Sequence, residues 1–229
     1  MSATLILGDC LEKMKSLPDK SVDCFICDLP YGQLATPKIG GGQNIRLPKE
    51  HCSWDVKLNL KDFWTEVKRL CKSKDTPVLM FCNTRFGVEL INSNPEWFRY
   101  DLVWNKERGV SFLLANKMPM KSHEMIYVFS KTGSYYKRVD EKATKGEDGT
   151  RCSLSVLNIN NKMCKGQHPT EKPKELYEWL LKRYCPADGT VLDPTAGSFN
   201  SVMVAKTLGL KGIGIEKDRA FFYKAVSKV

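Results

Sequence analysis

TVLDPTAGSFN, residues 190–200, decides the fold of this chain: an apolar run leads into a turn of small residues and then into a helical pattern that ends near Gly209. Such a turn lets a ligand approach the backbone N–H groups at a helix N-terminus. A second apolar run, GIGIE at residues 212–216, ends in an acid that can accept hydrogen bonds from both hydroxyls of a ribose. Together the two runs predict a nucleoside-binding unit of strand, turn, helix and strand.

The rest of the chain repeats this alternation of strand and helix. Seven short apolar runs predict strands, at residues 4–7, 22–27, 78–82, 100–104, 124–129, 190–192 and 212–215. Most do not alternate with polar residues, which is the pattern of strands buried on both faces of a mostly parallel sheet. Helical spacing occurs between several of them, at residues 60–70, 176–184, 202–208 and 221–226. This order predicts the α/β class: one domain over residues 1–229, with a doubly wound, seven-stranded mixed sheet.

Composition restricts the class of protein further. The 229 residues carry a formal net charge of +10, and 42% are hydrophobic, which excludes a disordered or fibrous chain and favours a polyanionic partner. No apolar run approaches the roughly 18 residues that a membrane span needs, and the N-terminus reaches acids too early for a signal peptide. Nine cysteines without a repeating spacing indicate free thiols in an intracellular protein, located in the cytoplasm or wherever its partner is.

No metal site is expected from the cysteines. Cys24 and Cys27 form a C-x-x-C pair, and no second such pair exists. On a strand, an odd separation places two side chains on opposite faces of the sheet, so these thiols cannot converge on one ion.

Two stretches interrupt the rhythm of strands and helices, at residues 33–53 and 131–165. The first contains three consecutive glycines at 40–42 and two prolines, and the second carries eight basic against four acidic residues. Loops of this length in a compact domain are usually functional, so we interpret both as long mobile loops with a role in binding. Tolerated surface insertions are the alternative.

A third strand end brings polar and aromatic groups together. The apolar run 24–27 is followed by Asp28, Leu29, Pro30 and Tyr31. An acid at the carboxyl end of a parallel strand points into the crevice where ligands of α/β proteins bind. A carboxylate, the nearby backbone carbonyls and an aromatic ring suit a planar aromatic amine, because they offer acceptors for an NH2 group and a stacking surface. An Asx turn after the strand is the structural alternative.

Together these segments resemble the amino-methyltransferases of DNA that use S-adenosylmethionine. The Asp28–Tyr31 motif is similar to that family's D-P-P-Y catalytic motif, residues 193–198 to its D-P-F-x-G-S-G-T cofactor motif, and residues 168–173 to its H-P-T-x-K-P segment. The likeness spans nearly the whole chain, and the catalytic motif precedes the cofactor motif, which is the order of the β-class. The resemblance implies a Rossmann-like methyltransferase fold in circularly permuted form.

The resemblance also implies an activity and a set of site residues. Adenine N6 in DNA would receive the methyl group of S-adenosylmethionine after base flipping. The catalytic residues would be Asp28, Leu29, Pro30 and Tyr31. The cofactor-binding residues would be Asp9, Cys10, His168, Thr170, Lys172, Asp193, Thr195, Gly197, Ser198, Phe199, Asn200, Glu216 and Lys217. The residues of the 131–165 stretch that bind DNA would be Lys137, Arg138, Lys142 and Lys145.

Two positions depart from the family's motifs. Leu29 replaces one proline of D-P-P-Y, while the following Pro30 is retained. Phe199 replaces the last glycine of the G-S-G turn, which predicts a shifted helix start or a weaker affinity for the cofactor. This second departure keeps a different class of function open, a catalytically silent nucleic-acid-binding protein.

Several alternatives remain within the methyltransferase interpretation. Cytosine N4 is the nearest rival acceptor, although an initial Asp rather than Ser in the catalytic motif favours adenine. RNA and a protein glutamine amide are more distant rivals, and the permuted order and basic stretches argue against the protein. DNA is the expected partner, with no membrane or metal involved. The sequence leaves open a homodimer, a restriction enzyme partner and the recognition site.

Overall fold

The computed structural model describes residues 2–32, 56–110, 115–142, 149–161 and 171–227. Of the sequence predictions, His168, Thr170, Lys145 and the whole 33–53 stretch lie outside the described residues. Within the described residues, no helix combines the length and apolar content that crossing a membrane would require.

A large mixed sheet forms the centre of the molecule. Its strands are β1 (Ala3–Leu7), β2 (Cys24–Cys27), β3 (Val78–Cys82), β4 (Phe98–Val110), β5 (Lys121–Phe129), β8 (Val156–Asn158), β9 (Thr190–Asp193) and β10 (Lys211–Glu216). They lie in the order β1-β10-β9-β2-β3-β5-β4-β8, and β5 alone runs antiparallel to its neighbours. The two-residue strands β6 (Glu141–Lys142) and β7 (Thr150–Arg151) pair with each other outside this sheet.

In the part of the chain that the structure describes, six α-helices flank the sheet. They are α1 (Cys10–Lys15), α2 (Leu60–Leu70), α3 (Thr84–Ser93), α4 (Lys174–Tyr184), α5 (Asn200–Thr207) and α6 (Arg219–Val226). The first three pack into one apolar cluster on one face, with Met14, Phe63 and Phe86 buried. On the other face α4 and α5 bury Leu180 and Ala205 in a second cluster.

The alternation of cluster membership along β2 explains why its sequence shows no polar alternation. Phe25 and Cys27 belong to the cluster of the first face, whereas Cys24 and Ile26 belong to that of the second. The two cysteines therefore lie on opposite faces, as their spacing predicted.

The predicted fold class is confirmed, with one correction to the strand count. Among the described residues the main sheet has eight strands, because β8 joins the edge of the sheet beside β4. Its chain segment lies inside the 131–165 stretch, so the interpretation of that stretch as one long loop is wrong for its described part. The reason is physical: only Leu157 of the three residues of β8 is buried, and so short a strand leaves no pattern in the sequence.

Contacts with α4 fix the segment around β6 and β7. Arg183 is 3% exposed and donates to Ser153 Oγ at 2.8 Å and to the Val139 carbonyl at 3.0 Å. Glu141 accepts a hydrogen bond from Trp179 Nε1 at 2.7 Å. These bonds attach a polar segment to the molecule without an apolar core, which is why hydropathy did not predict its structure.

Candidate active site

The carboxyl ends of four parallel strands, β1, β2, β9 and β10, lie at the same end of the sheet. They surround a cavity of about 390 Å³. Ten residues predicted from the sequence line it: Asp9, Cys10, Asp28, Pro30, Lys172, Thr195, Gly197, Ser198, Glu216 and Lys217. Residues as far apart in sequence as 9 and 217 thus form one site, because the N-terminal strand β1 pairs with the C-terminal strand β10.

The Asp28 carboxylate is held from both sides by protein donors. The hydroxyl of Tyr31 donates to Oδ1 at 3.1 Å, and the ammonium of Lys172 donates to Oδ2. The backbone at the same residue is also fixed, because Thr195 Oγ1 donates to the Asp28 carbonyl at 3.1 Å and ties the end of β2 to the turn after β9. Asp28 remains 29% exposed, so its carboxylate stays accessible to a ligand in the cavity.

Lys172 is buried in a chain of alternating charges. Its ammonium lies 3.7 Å from Glu124 and 4.4 Å from the centre of the Phe81 ring, and Glu124 in turn pairs with Lys106. Burial disfavours the charged ammonium, yet the carboxylates of Asp28 and Glu124 outweigh it and raise the pKa of Lys172. Burial likewise opposes ionisation of Glu124, and the two lysines lower its pKa. Lys172 therefore stays protonated and orients Asp28.

Tyr31 and Leu29 contribute from behind the cavity. The Tyr31 ring packs against Phe86 with centroids 4.8 Å apart, and burial raises its pKa well above the ordinary value, with the Asp28 charge acting in the same direction. Its hydroxyl thus stays neutral and can donate to Asp28. Leu29 is 2% exposed and belongs to the apolar core.

The turn after β9 is held by Asp193, which does not line the cavity. Its Oδ2 accepts from Ser201 Oγ and its Oδ1 from the Thr195 N–H at 3.1 Å. Burial raises the pKa of Asp193 to about 7, although these hydrogen bonds act in the opposite direction. Asp193 therefore shapes the backbone that Gly197 and Ser198 present to the cavity.

Phe199 adopts the backbone conformation that favours glycine. Its φ is 60°, in the left-handed region, and it caps the N-terminus of α5. The ring is fully buried with Ala196, Val202 and Ala225, and Phe199 is not among the residues that line the cavity. The replacement of the family's glycine therefore leaves the cavity wall free of the aromatic ring. Asn200 is also buried outside the cavity lining.

Glu216 links the end of β10 to the turn. Gly197 N–H donates to Oε2 at 2.8 Å and Asp218 N–H to Oε1 at 2.7 Å. Burial raises the pKa of Glu216, and the backbone hydrogen bonds oppose that shift. Each carboxylate oxygen has a second lone-pair direction, so the acid can still accept from a ligand diol.

Asp9 lies at the same end of the cavity and caps α1. Its Oδ1 accepts from Leu11 N–H at 3.0 Å, and Lys217 Nζ is 3.5 Å from Oδ2. The neighbouring Cys10 thiol is buried, which raises its pKa to about 11 and keeps it neutral.

Sequence reasoning missed several polar residues that line the cavity, among them Glu171. Its Oε1 accepts from Asn200 Nδ2 at 2.7 Å, whereas Oε2 is buried without a hydrogen-bond partner among the described residues. Ile215, Asp218 and Phe221 also line the cavity. The sequence signal for Glu171 was its position next to Lys172, within the segment that resembles the family's motif. The other three residues lie within five positions of the predicted ribose acid, Glu216.

Three of the four predicted DNA-binding residues belong to the described part of the chain, and all three lie away from this cavity. Lys137 N–H donates to the carbonyl of Arg183 near the end of α4, at the end of the sheet opposite to Asp28. Arg138 forms an ion pair with Asp140 at 2.6 Å, and Lys142 belongs to β6. The structure therefore separates these cations from the cavity, and their binding to DNA stays a prediction.

Comparisons with known proteins agree with this architecture. A family model described as DNA methylase (N6_N4_Mtase) matches residues 22–227. The type II methyltransferase M.HinfI of Haemophilus influenzae is 28% identical over 237 residues, covering 95% of this chain and 66% of the relative. The type II methyltransferase M.SmaI of Serratia marcescens is 24% identical over 269 residues, covering 100% and 91%.

Solved structures show the same fold. A crystal structure of an M1.HpyAVI–SAM complex superposes with a TM-score of 0.67 at 17% identity, covering 98% of both chains. The PvuII DNA methyltransferase, described as cytosine-N4-specific, has a TM-score of 0.69 at 18% identity, covering 99% of this chain and 86% of the other. Since the family model matches most of the chain, the protein belongs to the N6/N4 family of DNA methylases, whose cofactor is S-adenosylmethionine.

Proposed function

We propose that this protein methylates the N6 amine of adenine in DNA. The observation that carries the proposal is the Asp28 carboxylate, which lies at the rim of the cavity and is oriented by Tyr31 and Lys172. A fixed acceptor at this position can bind the exocyclic amine of a planar base. The remaining cavity has the donors and acceptors of a nucleoside site.

The residues present fit S-adenosylmethionine. Glu216 offers acceptors for the ribose hydroxyls, and Ile215 and Phe221 supply an apolar surface beside it. The unpartnered Oε2 of Glu171 requires a donor, ideally a cationic one, and the α-ammonium of the methionine part is such a group. The sulfonium has no N–H to offer, so the ammonium suits Glu171 better. When bound, S-adenosylmethionine supplies an electrophilic methyl group for direct transfer.

The chain's own residues orient the acceptor amine. Asp28 accepts one hydrogen of the amine, and the carbonyls of Leu29 and Pro30 are candidates for the second. These bonds direct the nitrogen lone pair out of conjugation with the ring and towards the methyl group. Catalysis of this kind is mainly a matter of orientation, which can contribute several kcal/mol on its own. The target nitrogen is inaccessible in a duplex, so the base must be flipped out.

Cytosine N4 methylation is the second candidate. The structural likeness to the cytosine-N4-specific PvuII enzyme supports it, because the same fold presents both acceptor amines to one chemistry. The aspartate that begins the catalytic motif supports adenine, through the resemblance to the family's motif. The relatives of this protein M.HinfI and M.SmaI are type II methyltransferases. A role in restriction and modification is therefore part of the proposal.

One assay distinguishes these functions. The protein is incubated with S-adenosylmethionine tritiated at the methyl group and with unmethylated genomic DNA, and the DNA is digested to nucleosides. Label in N6-methyldeoxyadenosine is the expected result, whereas label in N4-methyldeoxycytidine would replace adenine by cytosine. DNA binding without any labelled nucleoside would overturn the enzymatic proposal and favour a silent binding protein.

A further inference from the structure

A two-stranded ribbon extends the sheet at the end where Asp28 lies, the carboxyl end of the parallel strands. β3 ends at Cys82, opposite Met125, and β8 ends at Asn158, opposite Asn105. The parts of β4 and β5 beyond these positions pair with each other and with no further strand among the described residues. We name residues 106–110 of β4, the turn and irregular residues 115–120, and Lys121 at the start of β5 the ribbon.

A bulge reshapes β4 at the base of the ribbon. The pairing of β4 with β5 shifts between Asn105 and Val110, and Glu107 in this interval has a φ of 59°. Bulges of this kind often occur beside active sites, where they redirect a strand. The regular pairing of β4 with β5 is therefore interrupted at the base of the ribbon by a feature of its backbone.

The described surface of the ribbon combines apolar and basic side chains. Val110, Met118 and Met120 are 39%, 49% and 40% exposed. Arg108 and Lys117 are exposed and Lys121 is half-buried, and none of these three forms an ion pair within the described part of the chain. This differs from Arg138, whose charge is balanced by Asp140. Unpaired cations around exposed methionines suit a partner that is both anionic and aromatic.

The base of the ribbon is connected to the catalytic acid by ion pairs. Lys106 of β4 pairs with Glu124 of β5, and Lys172 bridges Glu124 to Asp28. Lys106 and Lys172 are 9% and 5% exposed in their side chains, so solvent screens these interactions little. The ribbon thus has a fixed position relative to the carboxylate that would receive the flipped base.

We infer that the ribbon is a contact surface for duplex DNA, an inference that rests on the proposed function. Arg108, Lys117 and Lys121 bind backbone phosphates, and Met118 and Met120 pack against the base stack next to the flipped base. A two-stranded ribbon fits the major groove, and methionine is among the side chains that proteins insert between bases. The ribbon is favoured over the Lys137 region because it lies at the same end of the sheet as the cavity.

Salt-dependent DNA binding tests this inference. The ribbon variant replaces Arg108, Lys117 and Lys121 by Gln, and a matched control replaces the exposed Lys15, Lys74 and Lys211, towards the opposite edge, by Gln. Duplex affinity is measured by fluorescence anisotropy across a salt series, with calorimetry of S-adenosylmethionine as a check on folding. We expect the ribbon variant to lose tenfold or more in duplex affinity at about 50 mM salt and to lower the log–log slope by about 2.7, since each phosphate contact contributes about 0.9. The control keeps the wild-type slope.

Further arms of the experiment separate the other outcomes. Replacing Met118 and Met120 by Ser is expected to slow methyl transfer while the salt slope stays at its wild-type value. A ribbon variant that binds duplex DNA as the control does would overturn the inference, as would a loss confined to double-stranded RNA of the same sequence. A larger loss of slope on neutralising Lys137, Arg138, Lys142 and Lys145 would also overturn it. Failure of the proposed function is recognised separately, because the wild-type protein would then label no nucleoside in DNA.

Discussion

Asp28 shows how one carboxylate can serve both the fold and a ligand. Tyr31 and Lys172 occupy one lone-pair direction on each of its oxygens, and a carboxylate has about four such directions. The protein donors therefore fix its orientation without saturating it. The motif in the sequence predicted the acid and the tyrosine, whereas Lys172 was predicted to bind the cofactor and is found against Asp28. Side chains converge through tertiary structure, which motif spacing does not encode.

The unpartnered oxygen of Glu171 gives the first prediction. Glu171→Gln is expected to weaken S-adenosylmethionine binding by roughly tenfold to a hundredfold, because a hydrogen bond between two charged groups is lost. S-adenosylhomocysteine retains the α-ammonium and should lose as much, while methylthioadenosine lacks it and should bind both proteins equally. Calorimetry with the three ligands checks this, with the exposed Glu175→Gln as the control.

Two outcomes would contradict this role for Glu171. A loss for S-adenosylmethionine alone would mean that the carboxylate interacts with the sulfonium instead. Equal losses for all three ligands would mean that the substitution disturbs the cavity as a whole.

Asp193 gives a prediction about pH. Its pKa is about 7 in the folded protein against an ordinary value of 3.8. The unfolded chain therefore releases this proton at lower pH than the folded one, so the contribution of Asp193 to stability is complete below pH 4 and falls as pH rises to about 7. Asp193→Asn should remove this dependence, a difference of at most about 4 kcal/mol in the free energy of unfolding. Urea denaturation between these pH values checks it, and parallel curves for the two proteins would contradict it.

At the scale of elements, α5 depends on a large side chain in a left-handed position. A non-glycine residue there costs about 1–2 kcal/mol, which burial of the Phe199 ring offsets. Gly214 on β10 makes room for that ring, since a Cβ at this glycine would lie 2.6 Å from Phe199 Cδ1 and 2.7 Å from Val202 Cγ2. Phe199 and Gly214 therefore form a matched pair between helix and strand.

This pairing predicts a coupled effect on stability. Gly214→Ala should destabilise the protein by about 1–3 kcal/mol through overpacking. Phe199→Leu should reduce that cost by 0.5 kcal/mol or more in the double variant, because a smaller side chain leaves room for the added methyl group. Denaturant unfolding of the four proteins measures the coupling, with Gly133→Ala as a control because that site has open space around it. Strict additivity would show that the two residues do not share this space.

Element boundaries could be predicted where apolar residues show a clear period. The spacing in α2 predicted its extent, and Asn59 caps this helix by accepting from Lys61 N–H at 3.0 Å. By contrast α1 has six residues, too few to show a helical period, and α3 contains Gly87 against Tyr127 in its interior. The sequence left both helices unassigned because their lengths and compositions are set by packing.

At the scale of the whole molecule, the order of motifs indicates how the strands are arranged, whereas the net charge does not indicate which surface binds the partner. The order of motifs implied a circularly permuted fold, and the parallel pairing of the first strand, β1, with the last, β10, agrees with it. Net charge predicted an anionic partner, yet it gave no information about which end of the sheet binds that partner. The basic residues around Lys137 and those of the ribbon look alike in sequence, and only the course of β4, β5 and α4 separates them.

Asp28 is proposed to orient the acceptor amine for methyl transfer without being needed to hold the cofactor. The most direct measurement compares Asp28→Asn with the wild-type protein in single-turnover methylation of DNA and in calorimetry of S-adenosylmethionine. We predict that transfer falls by at least about a hundredfold, in the range seen when an oriented charged group is lost from a transition state, while the dissociation constant changes less than about threefold. Transfer near the wild-type rate would contradict this role of Asp28, and so would a loss of activity that follows entirely from lost cofactor binding.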